Sequence, residues 1–338
     1  MNDAERLAGL RAAKLRALVR TRWDLPDDAV VRSFPAGATV TDPNTSTTWV
    51  STEDDAARRL GAALAVALRA GSDALQVIVE DADDAGVLAR RAAGFEFSVK
   101  VWTVEGTELV AAVAAPPAPD PAPAPEAELY RPVLEGAGLE PVVEGGHLLG
   151  ELLGLEVARV VVDEDGTARV EAGVGRFDRE AGTMVRAGMA EADALHVVID
   201  LVAPVRRADA ERHPMNQLVR DRWMRAVVVA NPALVGAAEL HPVGSARPRA
   251  NLTEDGVASA IGVDLEGRPL VVTTSSGVFL DLVPSAVDDR LSHDPTARLV
   301  VVVAERDSAP ITEQLIALVP NAELRTVPDD WARAAAPS

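Results

Sequence analysis

The chain has 338 residues, 48% of them apolar, which is two domains' worth of sequence with ample material for packed cores and excludes disorder throughout. Its 33 Lys and Arg against 52 Asp and Glu leave a formal net charge of -19, which repels phosphate backbones at long range and excludes indiscriminate binding to nucleic acid or anionic membrane. The absence of cysteine excludes disulfide scaffolds, thiolate zinc sites, iron–sulfur clusters and cysteine nucleophiles.

No uninterrupted apolar stretch reaches the roughly 18 to 20 residues of a membrane helix. The opening segment interleaves Glu5, Arg6, Arg11, Lys14, Arg16, Arg20 and Arg22 with Leu7, Leu10, Leu15, Leu18 and Val19. It lacks the apolar block and small-residue cleavage site of a signal peptide, so an N-terminal helix and a cytoplasmic location are expected. Strands follow at 38–40 and 47–50, then a helix from Thr52 to about Ala70, a strand at 75–79, a helix from Ala85 to Ala93 ended by Gly94, and a strand at 98–104. This alternation predicts an α/β domain over residues 1–114. Pro116, Pro117, Pro119, Pro121, Pro123 and Pro125 then alternate with Ala and Asp120. Proline fixes φ and removes a donor, so 115–128 is expected as a stiff, polyproline-like spacer.

A larger α/β domain is expected over 129–330, with 331–338 as a tail. In it, strands at 157–162 and 167–171 flank Asp163-Glu-Asp-Gly166, the signal of an antiparallel hairpin. A helix near 180–189, a strand at 195–199 and a helix opened by His213-Pro214 and running to about Val229 come next. Strands at 269–274, 278–283 and 299–303, a helix near 311–318 and a strand at 323–327 complete the chain, in an order that echoes the first domain. The expected fold class is α/β, two domains with mixed sheets and a repeated strand–helix–strand unit.

The block Gly277-Val-Phe-Leu-Asp281-Leu-Val-Pro284, then 299–303 with Glu305, Arg306 and Asp307 at its exit, then Gln314-Leu-Ile-Ala-Leu318, resembles the core of the PD-(D/E)XK nuclease superfamily. That resemblance implies two carboxylates holding Mg²⁺ and a lysine orienting the attacking water. Asp281 takes the first acid's place. The Glu-x-Lys occurs nowhere, since Lys14 and Lys100 are the only lysines, and Glu305 and Arg306 stand displaced at the strand's exit. The resemblance therefore implies a nuclease-like fold that has lost catalysis and kept a binding role. The alternative is a metal-dependent nuclease or phosphodiesterase with Mg²⁺ at Asp281.

The segment Val170-Glu171-Ala-Gly173-Val-Gly175-Arg-Phe-Asp178 follows a strand and enters a predicted helix, and Asp200 ends the next predicted strand. It resembles the cofactor turn of S-adenosylmethionine-dependent methyltransferases. That resemblance implies a nucleotide-binding role for Glu171, Gly173, Gly175 and Asp200; the third glycine position is filled by Phe177 or Asp178.

Positive charge collects in Arg206, Arg207, Arg212, Arg220, Arg222 and Arg225 against Asp209, Glu211 and Asp221, and Arg247 and Arg249 add to it in a Pro-containing loop. With Trp223 as a stacking face, this patch points to nucleic acid or another phosphate-bearing ligand, and a protein partner is the alternative; a membrane is not expected. Met215, Leu218, Val219, Ala226 and Val227 recur near helical spacing, so the same helix needs a buried face. Asp163, Glu164, Asp165 and Glu171, with Glu151 on a preceding helix, form either a hard-cation site or a solvated acidic turn. His147, His196, His213, His241 and His293 include no i, i+3 or i+4 pair, which excludes a helical zinc pair. Ser275 and Ser276 lack the preceding glycine of a nucleophile elbow, and no P-loop lysine motif occurs.

Overall fold

The computed structural model describes residues 3–117, 120–175, 178–179, 182, 189–210, 213–249 and 251–335. It is a mixed α/β protein, with three sheets among the described residues, divided into two compact units. Unit 1 comprises Met1–Pro117, Leu280–Asp288 and Ala309–Ala322, and unit 2 comprises Ala118–Phe279, Asp289–Ser308 and Glu323–Ser338. The contiguous division expected at the proline-rich segment is thus revised. Two pieces of the C-terminal sequence belong with unit 1, where Val287, Leu315 and Ile316 are buried and Asp281 and Asp288 meet arginines.

Unit 1 opens with α1 (Asp3–Arg20) and forms a six-stranded sheet in chain order: β1 (Val31–Phe34), β2 (Gly37–Asp42), β3 (Thr47–Thr52), β4 (Ala74–Val79), β5 (Ser98–Glu105) and β6 (Glu108–Ala111). The first three strands are antiparallel, β3, β4 and β5 are parallel, and β6 returns antiparallel. Each parallel step requires a crossover, supplied by α2 (Leu60–Arg69) and α3 (Ala82–Ala92). Strand alternation sends Val31, Val40, Trp49, Ile78 and Trp102 to the face packed by Leu15, Leu18 and Val19 of α1, with Trp23 edge-on to Trp49 and Trp102 at 5.6 and 5.4 Å. The helix predicted from Thr52 starts only at Leu60, because Thr52 still pairs with Gly37 in the sheet and a 3-10 turn at Ala56–Arg58 intervenes. Asp81 caps α3 by accepting from the Asp84 N–H at 2.8 Å, with Asp83 and Asp84 in the first turn and Arg90 and Arg91 in the last, as the helix dipole favours.

In unit 2, irregular backbone gives way at α4 (Pro125–Glu128), so the last four residues of the expected spacer are helical, with Pro125 in the first turn. After α5 (Arg131–Gly136), an antiparallel sheet follows in the order β10-β9-β8-β7, made of β7 (Glu140–Glu144), β8 (His147–Leu152), β9 (Leu155–Val162) and β10 (Ala168–Ala172). The predicted Asp-Gly hairpin joins β9 to β10. The predicted helix at 180–189 lies, but for residues 182 and 189, outside the described residues. The predicted strand at 195–199 is instead part of α6 (Glu191–Val202), whose Leu195, Val198 and Val202 are buried at helical spacing. The helix predicted from His213 is two pieces, a 3-10 turn at Pro214–Gln217 and α7 (Arg220–Ala230), separated by Val219 in a left-handed conformation.

The third sheet runs β11 (Ala237–Val243), β12 (Ala258–Asp264), β13 (Pro269–Thr274), β14 (Arg298–Ala304) and β15 (Ala322–Val327) in that order. The strand predicted at 278–283 is a loop leading into α8 (Leu282–His293), where buried Leu282, Val283, Ala286 and Val287 repeat with helical period; α9 (Pro310–Ile316) follows β14. The expected tail begins as a 3-10 turn at Trp331–Ala335, and Trp331 is 2% exposed and edge-on to Trp223 at 5.9 Å, so it is core. From α7 to β15 the elements follow the same order as α1 to β5, with two antiparallel steps and then a parallel one. Among the described residues, no helix is long and apolar enough to cross a membrane.

Candidate ligand cleft and the arginine networks

Asp281, a candidate for catalysis together with Glu305 and Arg306, precedes α8 in unit 1 and is 2% exposed. One carboxylate oxygen accepts from the Gly61 N–H at 3.2 Å and the other from Arg91 Nη1 at 2.9 Å. Gly61 is required there: a Cβ would stand 1.8 Å from the Leu280 carbonyl oxygen. Asp288 completes the network, binding Arg90 Nε at 2.7 Å and Arg91 Nε at 3.0 Å. A guanidinium and an amide N–H occupy the lone pairs that a divalent cation would need, so these residues do not fit Mg²⁺. Glu305 and Arg306 are exposed in unit 2 and do not join Asp281's unit.

The arginines expected on a surface are largely internal. Arg206 is 0% exposed, lies with its guanidinium 4.5 Å from the Trp223 ring centroid, and donates to the carbonyls of Leu153, Met215 and Leu218 at 2.8 to 3.0 Å. Burial lowers its pKa to about 10, which leaves it charged at neutral pH. On α7, Arg222 reaches Glu144 and Glu151, and Arg225 reaches Glu151 and the Val243 carbonyl. Burial opposes the charge on Arg222, yet Glu144 and Glu151 outweigh it and raise its pKa. The net result corrects the expected patch, since Arg206, Arg222, Arg225 and Trp223 are all buried in the described structure. The cause is a second layer: β7 and β8 present glutamates to the helix face that the sequence suggested was solvated. Arg207 is exposed and paired with Asp209, Arg220 is half-buried 5.2 Å from the Trp331 ring, Arg247 is half-buried in the β11–β12 loop, and Arg212 lies outside the described residues.

Glu151 is on strand β8, not on a helix, and is far from the hairpin acids in function: it holds two arginines. Asp163 pairs with Arg169, and Asp165 accepts from the Thr167 N–H at 2.9 Å, which closes the turn. Among the described residues, no group of three or more His, Cys, Asp or Glu could hold a metal ion. The glycine turn does not form a methyltransferase-like site. Glu171 lies within β10, an edge strand antiparallel to its neighbour, and Gly173 follows it; Glu171 pairs with Arg169 at 3.0 Å, and Asp200 is exposed on α6 instead of ending a strand. Phe177 lies outside the described residues.

Three of the nominated residues do converge. Gly175, Arg222 and Arg249 line a cleft of about 310 Å³ in unit 2, with Glu144, His147, Glu156, Arg159, Arg179 and Asn251. The β8–β9 ladder has an extra residue at Val157, because Glu151 pairs with Glu156 while Gly150 pairs with Ala158. That bulge breaks the alternation of β9 and brings Glu156 and Arg159 onto one face, where they form two contacts of 2.9 and 3.2 Å. Arg179 meets the same Glu156 at 2.7 Å. Arg249 pairs with Asp221 and donates to the Glu254 carbonyl at 2.8 Å. Burial pulls that pair toward neutrality from both sides, raising Asp221 and lowering Arg249. His147 is lowered by burial and by Arg159, so it is neutral at pH 7.

Sequence reasoning missed His147, Glu144, Glu156, Arg159 and Arg179. The available signal was Glu156 and Arg159 interrupting an otherwise apolar strand, a pattern with no place on a fully buried face. No family model, curated protein or solved structure matches the chain.

Proposed function

We propose that the chain is a non-catalytic binding protein whose unit 2 cleft takes a compact acidic ligand bearing one or two carboxylates. The observation that carries this reading is the charge of the lining: four guanidiniums, from Arg159, Arg179, Arg222 and Arg249, against the carboxylates of Glu144 and Glu156. Each of the four is paired, Arg222 and Arg249 drawing also on Glu151 and Asp221, which are not part of the lining, so the face turned to the cleft is mainly positive; in a cleft partly screened from water such a face favours an anion, and the planar guanidinium fork matches a carboxylate. A volume of about 310 Å³ suits a small molecule rather than a polymer. Loss of catalysis on the nuclease-like reading is supported by Asp281, whose oxygens serve Arg91 and Gly61. Contact with nucleic acid draws its support only from the accessible Arg207, Arg220 and Arg247.

Titration calorimetry with succinate, citrate and uncharged succinamide tests the reading on the wild-type chain and on Arg159→Gln, a side chain 29% exposed and therefore replaceable without unfolding. Saturable binding of a carboxylate probe is expected, weakened about tenfold in the variant by loss of a charge-assisted contact, with no binding of the amide. Failure of every carboxylate probe to saturate overturns it. Incubation with DNA and RNA in Mg²⁺ should leave both intact; metal-dependent cleavage abolished by Asp281→Asn would restore the nuclease alternative.

A further inference from the structure

We infer that unit 1 carries a ligand site of its own, a groove beside the β1–β2 edge of its sheet suited to a small phosphate ester with a hydroxylated body. The groove begins in the sheet register. Arg32, Thr39, Val50, Val77 and Val101 are directly paired across β1 to β5 and share one face. Val101, Val77 and Val50 are buried, and the row then changes to a hydroxyl and finally to an exposed guanidinium at the edge. A strand face meant for a packed core would have stayed apolar to the edge. The change falls where the C-terminal turn of α2 stops covering the sheet, and a cavity of about 820 Å³ opens there. Its volume lies in the usual range for a small-molecule site.

The lining chemistry selects the ligand. Arg32 and Arg69 both face the groove, both are exposed, and among the described residues neither has an ion pair or a hydrogen bond. Exposed Arg20, Arg207 and Arg268, by contrast, each pair with a nearby carboxylate. Ser33, Thr39 and Asn44 line the same groove with side chains that have no hydrogen-bond partner among the described residues. Among the described residues, Asp28 is the one acid in the lining, and it has no ion pair with them. Two free guanidiniums match the double charge of a phosphate monoester, and two hydroxyls and an amide match the alcohol groups of a sugar or polyol.

The third sheet supplies an internal control. Its equivalent row is His241, Ile261, Val271 and Leu299, so the arginine and hydroxyl positions are taken by a histidine and an isoleucine. The groove there, about 370 Å³, is lined by Glu239, His293 and Asp294, a set with no guanidinium. The same topology therefore carries opposite charge in its two versions, which ties the anion site to side chains of unit 1 rather than to the sheet itself.

Titration calorimetry of the full chain with glucose 6-phosphate, inorganic phosphate and glucose tests the inference. One glucose 6-phosphate per chain is expected, with inorganic phosphate weaker and glucose not saturating. Arg32→Ala and Arg69→Ala should each weaken binding about tenfold, and Arg32→Glu with Arg69→Glu should abolish it, with thermal midpoints unchanged because both side chains are exposed. Arg159→Gln, in the unit 2 cleft, should leave glucose 6-phosphate binding intact. No saturation by either phosphate probe, unchanged binding in the doubly reversed variant, or loss of binding in Arg159→Gln alone each overturns the assignment.

Discussion

The two related sheets begin with the same element and treat it in opposite ways. Of the 18 residues of α1, Leu15, Leu18 and Val19 are buried, and the helix keeps Arg11, Lys14 and Arg20 at the surface in pairs with Glu53, Glu80 and Asp27. Of the 11 residues of α7, seven are buried, among them Asp221, Arg222 and Arg225. Composition does not explain this, since both helices are rich in arginine. The difference is that α1 packs on one sheet only, whereas α7 has the third sheet on one side and the glutamates of β7 and β8 on the other. A charged helix given a second protein layer must bring its counterions with it, because an unpaired buried ion costs several kcal/mol. Arginine density thus reports neutralising partners as readily as it reports a binding surface.

The sharpest break in that comparison is Glu151→Ala. It leaves Arg222 short of one partner and Arg225 without the carboxylate it pairs with inside a protein layer, and a loss of about 3–5 kcal/mol is expected from urea unfolding. Glu53→Ala, which removes the matching partner from Arg11 and Lys14 of α1, should cost under about 1 kcal/mol because those pairs are partly solvated. Equal losses would refute the layer argument. Next in size is Gly154→Ala at the β8–β9 turn. A Cβ there would stand 2.3 Å from the Arg222 carbonyl carbon, and the residue has φ +76°, so crowding and left-handed backbone together should cost about 2–4 kcal/mol. Gly106→Ala, in the β5–β6 turn of unit 1, has φ +63° with no neighbour within 4 Å and should lose only about 1–2 kcal/mol. Similar midpoints for the two variants would mean that the close approach to α7 is not rigid.

What was legible in the sequence follows from the range of the forces involved. The strands at β2, β3, β4, β5, β9, β10, β13, β14 and β15 and helix α3 announce themselves through local period, turn residues and caps, and they form where expected. The segment 195–199 reads as a strand because Leu195, Val197, Val198 and Ile199 are apolar and dense, but its length is set by Glu191 and Val202 at the ends of a helix lying on a sheet formed earlier in the chain. The segment 278–283 fails for a similar reason, its valine and leucines serving the first turn of α8. Gly175, Arg222 and Arg249 of the cleft were legible as residues of interest, but their convergence was not, since a bulge at Val157 and a loop of 14 residues between β11 and β12 bring them together. The α7 arginines were read with the wrong sign of exposure, because their partners lie about 70 residues upstream in β8.

A smaller effect separates the crossover helices. Helix α2 carries no charge before Arg69, whereas α8 carries Asp288, Asp289 and Arg290. Asp289 is buried and accepts from Ser259 Oγ at 2.6 Å, the Ala246 N–H at 2.7 Å and Ser245 Oγ at 3.0 Å. Burial nevertheless pushes its carboxyl above the ordinary range, with those hydrogen bonds and nearby His293 opposing the shift. A carboxyl with a raised pKa in the folded state binds its proton more tightly there, so its stabilising contribution is complete below the unfolded value near 3.8 and is lost as pH rises through the folded one. Asn at this position does not titrate. The stability of Asp289→Asn relative to wild type should therefore climb as pH is raised from about 4 to 7, by an amount set by the shift, whatever offset the amide introduces at the Ala246 N–H. Urea midpoints of both chains across that interval read the slope directly. A difference that stays flat with pH would mean that the three donors hold Asp289 at its unfolded pKa, and the polar content of α8 would then carry no electrostatic cost that α2 avoids.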